Sequence, residues 1–157
     1  MFERVASRVR DGLCGGHAAD RVGVFVDGPN VFREEFDVDL DEVRAIVEGM
    51  ATARVAVARV YLDEHATPGL VQAAEARGFE VVVTSGDVDV KLAVDATESV
   101  VAGRIDRLAI VSRDMDFKPL LETANEAGVE TLVVAPGEFG RSDALANAAH
   151  ETIVLEP

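Results

Sequence analysis

Val22-Gly23-Val24-Phe25-Val26-Asp27-Gly28-Pro29-Asn30 takes a continuous apolar run into an acid and then a turn. An apolar run bounded by turn residues reads as a strand covered on both faces. Leu108-Ala109-Ile110-Val111-Ser112 repeats the pattern and leads into Asp114 and Asp116. Strands of this kind belong to parallel sheets, and ligands bind at the C-terminal edge of such sheets. Between the two runs lies Asp87-Val88-Asp89, at a predicted helix start. Several acids meeting at one sheet edge point to a divalent-metal site.

Outward from these runs, strands alternate with helices. Strands are predicted over 22–26, 55–62, 79–84, 107–112, 129–134 and 152–155. A helix opens at Val38-Asp39-Leu40-Asp41, with Leu40, Val43, Ile46, Val47 and Met50 at helical spacing and acids in its first turn. Thr67-Pro68 caps a second helix running to Arg77, with Gly78 as its stop. A third covers 88–102 and ends at Gly103. A fourth opens near Asp116, carries Leu120, Leu121 and Ala124, and ends at Gly128. A short helix is expected around 142–149.

This alternation implies an α/β fold, a three-layer α/β/α sandwich with a mainly parallel sheet and right-handed crossovers. The usual small doubly wound order is 3-2-1-4-5, with the topological switch between strands one and four. Asp27 follows strand one and Asp114 follows strand four, so both would flank the ligand crevice. Asp89 lies in the first turn of the third helix, at the same edge. Asp95 is six residues further on, roughly 9 Å down the axis, so Asp89 is the better candidate ligand.

At 157 residues and 48% apolar composition, the chain is long enough for one domain with a real core. Residues 1–20 differ in character. Phe2, Val5, Val9 and Leu13 could line one face of a short helix before Gly15-Gly16 breaks it. The expected organisation is an N-terminal helical extension over 1–20 and one domain over 21–157. The single Cys14 excludes an internal disulfide and a cysteine-based zinc site. His17, His65 and His150 sit in no ligand motif. No apolar stretch approaches the ~20 residues of a spanning helix, and the N-terminus lacks a signal-peptide core. A cytoplasmic setting without membrane partners is expected.

The formal net charge is −14, with only two lysines, Lys91 and Lys118. Such a surface suits the cytoplasm of a halophilic archaeon, where the Debye length shrinks to about 3 Å at 1 M salt. It also repels phosphates, so a nucleic-acid partner would need a basic rim or a bridging metal.

Asp27, Asp89, Asp114 and Asp116 form the candidate metal and catalytic set. Carboxylate oxygens suit Mg²⁺ or Mn²⁺, which activate water and stabilise charge on a phosphodiester. Crowded carboxylates repel one another and raise each other's proton affinity. Asn30 could bind water or phosphate through its amide, and Ser112 could hydrogen-bond an acid or substrate. Gly28-Pro29 would shape the turn that aims Asp27 and Asn30 inward. Each acid taken alone could instead be a turn former or a helix cap, Asp87 and Asp116 above all. Lys91, Arg113, Lys118, Arg33 and Arg141 could supply a phosphate-binding rim, or be solvated surface charges. No phosphate loop and no Ser–His–Asp or Cys–His constellation is present. With Tyr61 the only tyrosine and no tryptophan, stacking aromatics are scarce.

Three segments in order resemble the NYN domain family, a branch of the PIN-like nuclease superfamily, with its archaeal and LabA-like members the most similar. They are Phe25-Val26-Asp27-Gly28-Pro29-Asn30, Gly86-Asp87-Val88-Asp89-Val90-Lys91-Leu92-Ala93-Val94-Asp95 and Val111-Ser112-Arg113-Asp114-Met115-Asp116-Phe117. The resemblance implies a PIN-like fold and metal-dependent ribonuclease activity on single-stranded or structured RNA. It places Asp27 and Asn30 in the first motif, Asp89 and then Asp95 in the middle one, and Ser112, Asp114 and Asp116 in the third. Arg113 stands where many members have Gly, and Met115 where a small residue is common. Arg113 could reach a scissile phosphate or pair with an acid. PIN-like domains often pair, so a homodimer is a further implication.

The expected function is hydrolysis of RNA phosphodiesters with Mg²⁺ or Mn²⁺ held by Asp27, Asp89, Asp114 and Asp116, and substrate met by Asn30, Ser112, Arg113 and Lys118. One alternative is a non-catalytic regulatory or RNA-binding member with a structural metal site. Another is a phosphotransfer protein, although Pro29 stands where an Asp-x-Asp signature would need its second acid.

Overall fold

The computed structural model of the chain describes residues 20–32, 39–49, 53–137 and 142–155. Of the expected extension over 1–20, residues 1–19 lie outside the described residues, as do Arg33, Met50 and Arg141, while Asp20 belongs to the first strand. Among the described residues six strands form one sheet: β1 (Asp20–Asp27), β2 (Ala53–Asp63), β3 (Glu80–Thr84), β4 (Arg107–Val111), β5 (Glu130–Ala135) and β6 (Glu151–Val154). Their order is β3-β2-β1-β4-β5-β6, and every pairing is parallel. The expected 3-2-1-4-5 order is present, and the last strand extends it beyond β5.

The helices are α1 (Gly28–Val31), α2 (Leu40–Glu48), α3 (Pro68–Ala76), α4 (Val88–Val101), α5 (Lys118–Glu126) and α6 (Asp143–Ala148). Alternate residues of β1 serve opposite faces, as a two-residue period requires. Val22, Val24 and Val26 pack with Val43 and Val47 of α2 and Ala74 of α3. Phe25 packs on the other side with Leu92 of α4, Leu121 of α5 and Leu145 of α6. Each buried Val, Leu or Phe among these contributes about 1.5–3 kcal/mol of transfer free energy. This double covering is why the central strands read as unbroken apolar runs.

Helix boundaries follow local chemistry. Thr67 Oγ1 accepts from the Leu70 amide at 3.2 Å, and Asp39 Oδ1 accepts from the Asp41 amide at 2.8 Å, capping α3 and α2. Helix α4 stops at Gly103, whose φ of +68° disfavours a side chain. Arg21, at the start of β1, donates to Gly103 O at 2.8 Å and to both carboxylate oxygens of Asp106, so the end of α4 is tied to the central strand.

Two elements differ from the sequence expectation. The four-residue helix α1 follows β1 directly, with Pro29 in its first turn. The helix expected to open near Asp116 begins as a 3₁₀ turn, Met115–Phe117, before α5 starts at Lys118. Pro119 explains this, because its fixed φ and missing N–H suit the first turn of an α-helix.

Candidate metal centre at the C-terminal edge of the sheet

The β1–β4 register ends with Val26 beside Val111, which brings the following residues, Asp27 and Ser112, side by side. Asp27 is only 1% exposed. Its Oδ2 accepts from Asn30 Nδ2 at 2.6 Å and from Ser112 Oγ at 3.1 Å. Asn30 reaches back because Gly28-Pro29 turns the chain at once into α1. Gly28 is obligatory there: a Cβ would collide with the Tyr61 carbonyl oxygen and the Leu62 side chain. Ser112 Oγ also accepts from the Asp114 amide at 3.0 Å, and Asp114 Oδ1 accepts from the Asp116 amide at 2.9 Å. A single chain of hydrogen bonds thus runs Asn30–Asp27–Ser112–Asp114–Asp116.

Asp89, Asp114 and Asp116 converge: one carboxylate oxygen from each lies within 4.8 Å of the others. Asp89 comes from the first turn of α4, and the other two from the loop and 3₁₀ turn after β4. Asp27 does not join this triad. It stands behind it, lining the same open pocket as Asp89, Asp114 and Asn30. Both of its hydrogen bonds fall on Oδ2, leaving Oδ1 without one from the described residues. Burial holds the Asp27 carboxyl above the usual range; the Asn30 and Ser112 donors oppose this, and the nearby charges of Asp114 and Asp89 add to it.

The donor set fits a hard divalent cation. All candidate ligand atoms are carboxylate oxygens, and trans ligands on a Mg²⁺ ion lie about 4.2 Å apart for bonds of 2.1 Å.

The other expected site residues are placed as follows. Asp95 is engaged elsewhere: Tyr61 Oη donates to its Oδ2 at 2.9 Å, and Lys91 Nζ lies 3.0 Å from its Oδ1. Arg113 is partly buried between Ser112 and Asp114, and Lys118 is exposed at the start of α5. Asp87 occupies the cap position of α4 but makes no side-chain cap bond. It lines the pocket with Asp63, from the end of β2. Asp63 was not singled out by sequence reasoning. Its place after a strand at the same edge was the available signal.

The NYN domain profile matches residues 21–156, nearly the whole chain. This chain belongs to the NYN domain family. The family is a PIN-like nuclease family, so the resemblance seen in the three motifs holds. An uncharacterized protein of the archaeon Methanocaldococcus jannaschii is 38% identical over 154 residues, which are 98% of this chain and 63% of that protein. This NYN chain thus spans less than two thirds of that relative's length. A crystallised Vibrio parahaemolyticus protein of unknown function shares the fold, with a TM-score of 0.76 and 21% identity over 90% of this chain and 96% of that one. Among the described residues no helix is long and apolar enough to cross a membrane.

Proposed function

We propose that this NYN protein is a ribonuclease that hydrolyses RNA phosphodiesters with Mg²⁺ or Mn²⁺. The observation that carries the reading is the convergence of Asp89, Asp114 and Asp116, backed by Asp27, at the switch point of the sheet. Asp89, Asp114 and Asp116 would hold the ion. Bound there, the ion would lower the pKa of a water and offset charge on the scissile phosphate. Asn30 and Ser112 fix the Asp27 carboxylate through Oδ2 and keep Oδ1 for the ion or for a proton. Ser112 couples that carboxylate to the loop carrying Asp114 and Asp116. Arg113 and Lys118, flanking the acids, would meet substrate phosphates and relieve the repulsion between an acidic protein and RNA.

The acidic composition supports a salt-rich cytoplasmic setting, and likeness to PIN-like domains, which often pair, supports a homodimer related to the archaeal or LabA-like members. The test is cleavage of end-labelled single-stranded RNA in molar KCl with Mn²⁺, Mg²⁺ or EDTA, beside Asp114→Asn and Asp27→Asn. Cutting that needs metal and vanishes in both variants supports the proposal. Undiminished cutting by both variants overturns it. Calorimetric metal binding with no cutting would favour the non-catalytic reading.

A further inference from the structure

Two grooves adjoin at Gly86 and Asp87, which line both. One is the acidic pocket. The other runs along α4 and is lined by Thr84, Val90, Lys91 and Val94 beside the two shared residues. Lys91 is the single basic side chain lining either groove among the described residues. Its side chain is 46% exposed, while that of its partner Asp95 is 12% exposed and also takes the Tyr61 hydroxyl hydrogen bond. Tyr61 is itself fully buried in β2. The ammonium is therefore tethered at one point, and two of its three N–H donors remain for another acceptor.

Helix stability does not explain this arrangement. Lys91 is the fourth residue of α4, close to the positive end of the helix dipole, where a cation is disfavoured. The pair also runs Lys before Asp, the weaker order for residues four apart. Val90 and Val94, on either side of Lys91, are 57% and 58% exposed, an apolar surface left to water. A cation and an apolar floor beside an acidic pocket match one nucleotide: a phosphate for the ammonium, a base for the valines.

We infer that Lys91, with Val90 and Val94, forms a subsite for a nucleotide of single-stranded RNA next to the one held at the acidic pocket. This rests on the ribonuclease reading and deepens it. Lys91, tethered by Asp95, binds the neighbouring phosphate, and the valine methyl groups contact its unpaired base. Paired RNA does not offer that base, so the subsite selects single strands.

The experiment is equilibrium binding of fluorescein-labelled hexauridylate to the full chain in Ca²⁺ across a KCl series, for the wild type, Lys91→Gln and Lys91→Arg. One single-strand phosphate contact contributes about 0.7 to the slope of log affinity against log salt. Lys91→Gln should weaken binding and lower the slope by about that amount, and Lys91→Arg should restore it. An unchanged slope and affinity in Lys91→Gln overturns the subsite while leaving the ribonuclease reading intact. A wild type that binds no RNA at any salt overturns both. Slope loss without RNA cleavage in Mn²⁺ supports the subsite and removes only the catalytic step.

Discussion

Ser112 Oγ donates to Asp27 Oδ2 at 3.1 Å across the β1–β4 boundary, joining residues 85 positions apart. The same oxygen accepts from the Asp114 amide. Ser112 is fully buried, so its loss leaves a buried carboxylate short of one donor and a backbone N–H without its acceptor. Ser112→Ala should cost about 2 kcal/mol of stability and lower metal-dependent activity. Urea denaturation beside the cleavage assay checks this; an unchanged midpoint would remove Ser112 from the supporting network.

Burial makes the charged Asp27 carboxylate unfavourable when no cation is bound. Asp27→Asn retains an acceptor oxygen for Asn30 and Ser112 and removes a buried charge. In EDTA at neutral pH it should therefore melt above the wild type, by the equivalent of about 1 kcal/mol. Adding Mn²⁺ at a hundred times its Kd should stabilise the wild type by about 2.7 kcal/mol. Asp116→Asn should forfeit most of that gain. Differential scanning calorimetry with and without Mn²⁺ reads both effects.

Arg21 holds the Asp106 carboxyl below its usual range through side-chain hydrogen bonds, helped by its backbone amide and its charge. A depressed carboxylate contributes stability above its unfolded pKa and loses it as pH falls through the folded value. Asp106→Asn should therefore be less stable than the wild type at pH 7. That gap should persist to about pH 5 and close below about pH 4, the ordinary aspartate range. Urea midpoints across this range test it; a gap that widened on acidification would contradict the assignment.

With a net charge of −14, self-repulsion should weaken the fold in dilute buffer. The melting temperature is expected to rise steeply with KCl and to level off in molar salt, where screening acts over about 3 Å. Circular dichroism melts across a KCl series measure this. Full stability in dilute buffer would remove the salt-rich setting.

The central sheet was legible because Val22, Val24, Val26 and Phe25 are all buried, as are Leu108, Ala109, Ile110 and Val111, and burial on both faces writes itself as an apolar run. Asp27, Asp89 and Asp114 were legible as neighbours because each follows or opens an element at one edge of the sheet. Helix α1 was not, since four residues are too few to show a helical period. That Asp27 would stand behind the other acids was not legible either: it depends on Asn30 and Ser112 both choosing Oδ2, a matter of side-chain rotamers. The engagement of Asp95 was hidden for a related reason. Its partner Tyr61 lies 34 positions away on β2, and only the packed sheet brings it beneath α4.

Placing β4 directly against β1 has a consequence for synthesis. Asp27 is synthesised early in this domain, and Ser112, Asp114 and Asp116 leave the ribosome long after it. Strand β1 must wait, without its β4 neighbour, until β2, β3 and the helices between them have been made. A product terminated before Asp114 would lack two of the three converging acids, and so could not assemble the candidate metal site.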